Sequence, residues 1–272
     1  MKNVRKVLAV VLCLALVLAL AACSGGNTSS ASSQAAADDL LSTIKARGKL
    51  IIATEGDWSP WTYHDENDNL VGLDVEIGAL LAEGLGVEPE FQETDWDSIL
   101  AGVDSGRFDI ACNGVGYTEE RAKKYDFSTP YVYTHKVLVV SSDNTDITSV
   151  DDLNGRTTAN SPGSTYASLA EEYGATVTSV STLNETIQLL EQGRVDATIN
   201  AQVSIEDYLR EHPDAGIKVV QVLDGDPVAF PVPKGETALV DAINQILDEA
   251  RQNGKLSEIS QKYFGLDLTS DN

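Results

Sequence analysis

Arg121 is the side chain with the clearest chemical capability in this sequence. A guanidinium presents a planar fork of donors that can clamp a carboxylate with two parallel bonds. Arg121 lies three residues after Thr118, a residue type that caps helix starts, where backbone amides also favour an anion. Gly116 permits close approach of a ligand to the backbone. The same spacing equally allows a surface ion pair with Glu119 or Glu120, so spacing alone leaves both roles open. Gly163-Ser164-Thr165 opens a second helix, and its start can serve as cap and anion site together. Trp58 sits in a polar loop and Trp96 heads a helix, unusual places for core aromatics. Glu55 is a carboxylate able in principle to act as a general acid. His64, His135 and His212 are scattered, and no Cys-His spacing suggests zinc, so no metal or cofactor is expected. Cys112, inside the apolar run Phe108 to Cys112, reads as a buried inert thiol.

The chain has 272 residues, 42 acidic against 19 basic side chains and a net charge of -23. Its 42% hydrophobic and 22% charged residues are globular values, and the length supports a sizeable core. So acidic a chain would repel polyphosphate, which argues against nucleic acid as a partner. Lys2, Arg5 and Lys6 precede an apolar run from Val7 to Ala22, the pattern of a secretory signal. That run is shorter than the roughly 20 residues a membrane span needs. Its ending, Leu20-Ala21-Ala22-Cys23, resembles the bacterial lipobox, in which the cysteine is lipidated, with palmitate among the acyl chains expected, and becomes the mature N-terminus. Residues 1-22 are therefore expected to be a lipoprotein signal peptide and residues 23-37 a flexible Ser/Gly/Ala tether. Without the signal, 16 basic side chains face the same 42 acidic ones, a net charge of -26.

The elements that must position these residues follow from hydrophobic patterning. Lys49 to Thr54 reads as a buried strand, and Leu73 to Leu85 as an amphipathic helix closed by Gly86. A second strand begins over Val87 to Phe91, Asp95 caps a helix, and Asp109 to Cys112 forms a third strand. A second set comprises strands at Lys136 to Val140, Arg156 to Ala159, Thr176 to Val180 and Asp196 to Asn200. Helices at Ser164 to Tyr173 and Thr182 to Gln192 alternate with them. One last strand, Val228 to Val232, and two C-terminal helices return to the first set. This rhythm predicts parallel βαβ units and an α/β fold.

Gly72-Leu73-Asp74-Val75-Glu76-Ile77, followed by Leu80, Leu81 and Ala82, resembles the signature of family 3 extracellular solute-binding proteins, receptors of polar amino-acid ABC importers. Trp58-Ser59-Pro60-Trp61, the run Asn113 to Arg121 and the run Asp126 to Tyr131 stand in family order. So do Asp152-Leu153-Asn154-Gly155, Gly163-Ser164-Thr165, the run Gly193 to Ala197 and Lys262-Tyr263-Phe264-Gly265. The resemblance implies a two-lobed, type II periplasmic-binding-protein fold with two hinge crossings, closing on a ligand. Residues 38-131 and 230-272 would form lobe one and residues 132-229 lobe two.

The resemblance also implies the site. Arg121, Ser164, Thr165 and the Gly116 amide would take an α-carboxylate, and Trp58 and Trp96 would clamp the aliphatic part. Glu55 and Asn113 would line the pocket and read the side chain or ammonium, with Gly114 and Asn200 assisting; Tyr117 and Tyr166 are weaker candidates. Where relatives place an aspartate for the α-ammonium, this chain has Ala201, and Glu55 is the expected substitute. The expectation is a monomeric, lipid-anchored receptor on the extracytoplasmic face of the cell membrane. It would capture a polar amino acid, with wording around Glu55 and Trp96 similar to cystine and cysteine receptors, and deliver it to an ABC permease without catalysis. The rival is an enzyme resembling cyclohexadienyl dehydratase, which shares the fold and needs a cleft carboxylate.

Overall fold

The computed structural model describes residues 39–270; the expected signal peptide, Cys23 and the tether lie outside the described residues. The chain runs through α1 (Leu40–Arg47), β1 (Lys49–Thr54), β2 (Asp57–Trp58), β3 (Thr62–His64), β4 (Leu70–Val71), α2 (Leu73–Leu85), β5 (Glu88–Glu93), α3 (Trp96–Asp104), β6 (Ile110–Ala111), α4 (Glu119–Ala122) and β7 (Tyr125–Phe127). It continues through β8 (Val132–Tyr133), β9 (Lys136–Ser141), β10 (Thr157–Asn160), α5 (Thr165–Glu172), β11 (Thr176–Ser179), α6 (Leu183–Glu191), β12 (Ala197–Ala201), α7 (Gln202–Glu211) and β13 (Ile217–Leu223). Last come β14 (Pro227–Val228), β15 (Pro231–Pro233), α8 (Thr237–Gln252) and α9 (Lys255–Phe264).

Two sheets form the centres of two lobes. The first, β5-β1-β6, is parallel, and its buried strand residues Leu50 and Ile52 join a core with Ile77 and Leu81 of α2 and Ile243 and Leu247 of α8. The second, β11-β10-β12-β9-β13, carries one apolar cluster around Val137, Val139 and Ile187 and another around Leu138, Val140 and Ile199. Successive strand side chains point to opposite faces, so an uninterrupted apolar strand such as β9 must be covered on both sides.

Three expectations are corrected. The second sheet is mixed, because β9 runs antiparallel to both β12 and β13. The single last strand is two, β14 and β15, which pair with β8 and β7 in separate ladders. Asp95 stands at the start of α3, but its side chain makes no capping bond there. Sequence patterning also missed β13 and α7. A register shift between Val219 and Gln221 breaks the alternation of β13. Helix α7 starts directly after β12 with no side-chain cap to announce it.

The chain passes between the lobes along two adjacent paths. Val132 pairs with Val228 and Tyr133 with Pro227, and the Tyr131 ring stacks on Phe230 at 4.1 Å, nearly parallel. Close approach explains one glycine here: a β-carbon on Gly225 would lie 1.6 Å from the Thr134 carbonyl oxygen. The crossing therefore admits no side chain at that position.

Candidate functional site

A cleft of about 820 Å³, solvent at its mouth included, lies between the lobes and is lined by both of them and by both crossings. That size suits a small molecule. Of the residues expected to bind ligand, Glu55, Trp58, Trp96, Gly114, Gly116, Arg121, Ser164, Thr165 and Asn200 line it.

Arg121 belongs to the single-turn helix α4, whose start is capped by Thr118: its Oγ1 accepts from the Arg121 amide at 3.1 Å. The guanidinium does not pair with Glu119 or Glu120. Nη1 donates to the Gly116 carbonyl at 2.8 Å and Nη2 to the Gly163 carbonyl at 3.0 Å, and Cζ stands 5.4 Å from the centre of the Trp96 ring. Gly163 belongs to the other lobe, so this cation spans the cleft. Burial lowers its pKa and nearby Asp226 opposes that shift, yet a guanidinium stays charged at any ordinary pH. Facing it, Ser164 caps α5 by accepting from the Ala167 amide at 3.1 Å.

Trp58 forms one wall, stacked on the buried Trp61 with ring centres 5.5 Å apart. Gly114 is obligatory beneath it. Its φ is 56°, and a β-carbon would come within 2.7 Å of the Trp58 ring. The Gly114 amide donates to Asp74 at 2.6 Å, and the Tyr131 hydroxyl donates to the same carboxyl group at 2.7 Å. Burial pushes the Asp74 pKa to about 7.

Asn113 requires a correction: it lies fully buried behind the cleft and does not line it. Its Oδ1 accepts from the Glu55 amide at 2.8 Å, and its Nδ2 donates to the Glu55 carboxylate. It therefore positions Glu55. Burial is the main reason the Glu55 pKa rises to about 7. The Asn113 bond opposes the rise, and the charges of Asp57 and Asp95 add to it. Burial likewise raises Asp57, with Asp95, Glu93 and Glu185 pushing the same way. This side of the cleft is acidic. Tyr117 is a second correction, being 39% exposed and set edge-on against Phe127 outside the cleft. Tyr166 does line the cleft, and burial drives its phenol pKa well up.

Sequence reasoning missed Asp226 and Lys136, which line the cleft from the two crossings and pair at 2.9 Å. No spacing could have signalled them, since only the side-by-side crossings bring them together. It also missed a second link between the lobes, Ser59 Oγ donating to Asp207 Oδ2 at 2.6 Å. Among the described residues, no group of three or more His, Cys, Asp or Glu side chains is arranged to hold a metal ion. None of the described helices is long and apolar enough to cross a membrane.

A bilobal α/β fold with a polar cleft at its hinge defines the class of solute-binding proteins. Residues 50–266 match the bacterial extracellular solute-binding proteins, family 3, and the chain belongs to that family. It is 41% identical over 256 residues to the L-cystine-binding protein TcyA of Bacillus subtilis (strain 168), covering 93% of this chain and 95% of that protein. Among solved structures, an ancestral arginine-binding protein bound to arginine superposes with a TM-score of 0.75 at 35% identity, covering 80% of this chain and 99% of that one. The ancestral amino acid-binding protein AncCDT-1, a precursor of cyclohexadienyl dehydratase, also reaches 0.75, at 31% identity over 83% of this chain and 99% of its own.

Proposed function

We propose that this chain captures a polar amino acid outside the cell, with L-cystine the leading candidate, and presents it by lobe closure to an ABC permease. Arg121 carries the reading: a half-buried cation whose donors reach carbonyls of both lobes is placed to exchange them for a ligand carboxylate. Closing around that carboxylate would couple binding to lobe position. Similarity to the cystine-binding TcyA supports the ligand class. In this reading residues 38-131 and 230-272 form lobe one and residues 132-229 lobe two. The protein acts as a monomer, held by lipid at Cys23 on the extracytoplasmic face after loss of residues 1-22. Ser164, Thr165, Trp58, Trp96 and Glu55 contact the ligand.

A thermal-shift screen against the common amino acids, cystine and small carboxylic acids tests the function. A ligand specific to the folded state must raise the melting temperature by mass action. No shift with any amino acid would overturn the reading. Cys23→Ala should release the folded protein from membranes, and its continued sedimentation with membranes would exclude the lipid anchor. The enzyme reading draws on Glu55, whose raised pKa would suit a general acid. Incubation with prephenate or arogenate separates the two, the receptor yielding no aromatic product.

A further inference from the structure

An α-amino acid carries its ammonium and its carboxylate on one carbon atom. Whichever acid receives the ammonium must therefore stand beside the cation that receives the carboxylate. Glu55 is held by Asn113 and is not among the groups that the Arg121 guanidinium touches, which are the Gly116 and Gly163 carbonyls and the Trp96 ring. The carboxylate acting most strongly on Arg121 is that of Asp226. Asp226 also lies against Gly116, whose carbonyl accepts from Arg121; a β-carbon built on Gly116 would be 3.0 Å from Asp226 Oδ2.

We propose, resting on the amino-acid reading above, that Asp226 receives the α-ammonium while Arg121 takes the α-carboxylate, with Lys136 as the resting counter-ion of Asp226. Lys136 Nζ is 2.9 Å from Asp226 Oδ2, but the alignment is not that of a hydrogen bond, and Oδ2 has no other partner. A half-buried carboxylate on the cleft wall, with one oxygen buried and free of any hydrogen bond, is suited to a second cation. The Lys136 side chain is 11% exposed and that of Asp226 24%, so the pair is shielded enough for its charges to matter and open enough for ligand to reach. Both residues ride on the crossings, and an ammonium bound here would sit where the lobes turn. Lys136 is also directly opposite Ala201 on the neighbouring strand, so their side chains share one face. Ala201 is fully buried, and an acid introduced there would stand beside Lys136.

Calorimetric titration with L-cystine, and with dithiodipropionate (cystine without its two amino groups), tests this. Asp226→Asn should weaken L-cystine by about thirtyfold or more and shrink the preference for L-cystine over the des-amino acid to match. Because Asp226→Asn leaves Lys136 unpaired, the Lys136→Met/Asp226→Asn double variant, with no orphan charge, should show the same loss if the single variant misfolds. Adding Ala201→Asp to Asp226→Asn should recover about tenfold, a rescue that a merely structural role would not produce. L-cystine affinity within about threefold of wild type in Asp226→Asn, or in the double variant, would overturn the proposal. So would an equal loss for both ligands. Failure of the wild-type protein to bind L-cystine or any other amino acid would instead overturn the functional reading on which the proposal rests.

Discussion

Ligand affinity should depend on pH through Glu55. Its carboxyl group titrates at about 7 because burial penalises the charge and Asp57 and Asp95 repel it. A ligand cation beside Glu55, such as the ammonium on the distal half of cystine, requires the ionised form and stabilises it. Binding must then lower the Glu55 pKa and release a proton, about half a proton per site at pH 7. With a free pKa near 7, only about one Glu55 in thirty is ionised at pH 5.5. Affinity there should be about thirtyfold below its plateau, or about 2 kcal/mol, and should rise as pH increases through 7. Titration calorimetry from about pH 5.5 to 7.0 measures the rise while the ligand's own ammonium stays largely protonated. Repeating it in buffers of different ionisation enthalpy counts the released protons. Glu55→Gln should bind weakly and without this slope. A flat wild-type profile, affinity that improves on acidification, or a slope that survives in Glu55→Gln would refute the reasoning.

Arg121→Lys should cost about 1.5 to 3 kcal/mol of binding, roughly tenfold to a hundredfold, because an ammonium cannot reproduce the fork; unchanged calorimetric affinity in the folded variant would remove Arg121 from the site. Asp74 has a folded pKa of about 7 against an ordinary 3.8, so the folded state holds its proton more tightly. Unliganded stability contributed by this group should accordingly be fully present below about pH 4 and be lost as pH rises from there through about 7, about 4 kcal/mol in all and a little under about 3 kcal/mol of it above about pH 5. Asp74→Asn should remove roughly half of the slope in melting temperature against pH, since Glu55, raised to about 7 as well, supplies a comparable part. Ser59→Ala deletes the hydroxyl that donates to Asp207 across the cleft. Weaker closure by about 1 kcal/mol should reduce ligand affinity roughly fivefold. Small-angle scattering should show a more open unliganded protein, and unchanged affinity would show that the contact does not hold the lobes.

Much of the architecture was legible because it depends on neighbours in the chain. The period of Leu73, Ile77, Leu81 and Leu85 marks one helical face, and those residues are buried as the period requires. Thr118, Ser164 and Thr182 cap the helices they precede through bonds to amides three residues on, a wholly local interaction. Arg121, Trp58, Trp96 and Glu55 stood out by residue type and motif, and the fold places them on one cleft. What the chain does not spell out locally is which acid faces which cation. Asn113 looked like a pocket residue, but it lies one layer behind, holding Glu55. Asp226 and Lys136 carried no signal, since their meeting depends on two crossings brought side by side by the β8 and β14 pairing. The direction of β9, antiparallel to both its partners, was likewise hidden, because a strand buried on both faces has the same apolar pattern in either direction. Charge also acts through space and solvent exclusion. The rise of Glu55 to about 7 comes first from burial, a property that only tertiary packing confers.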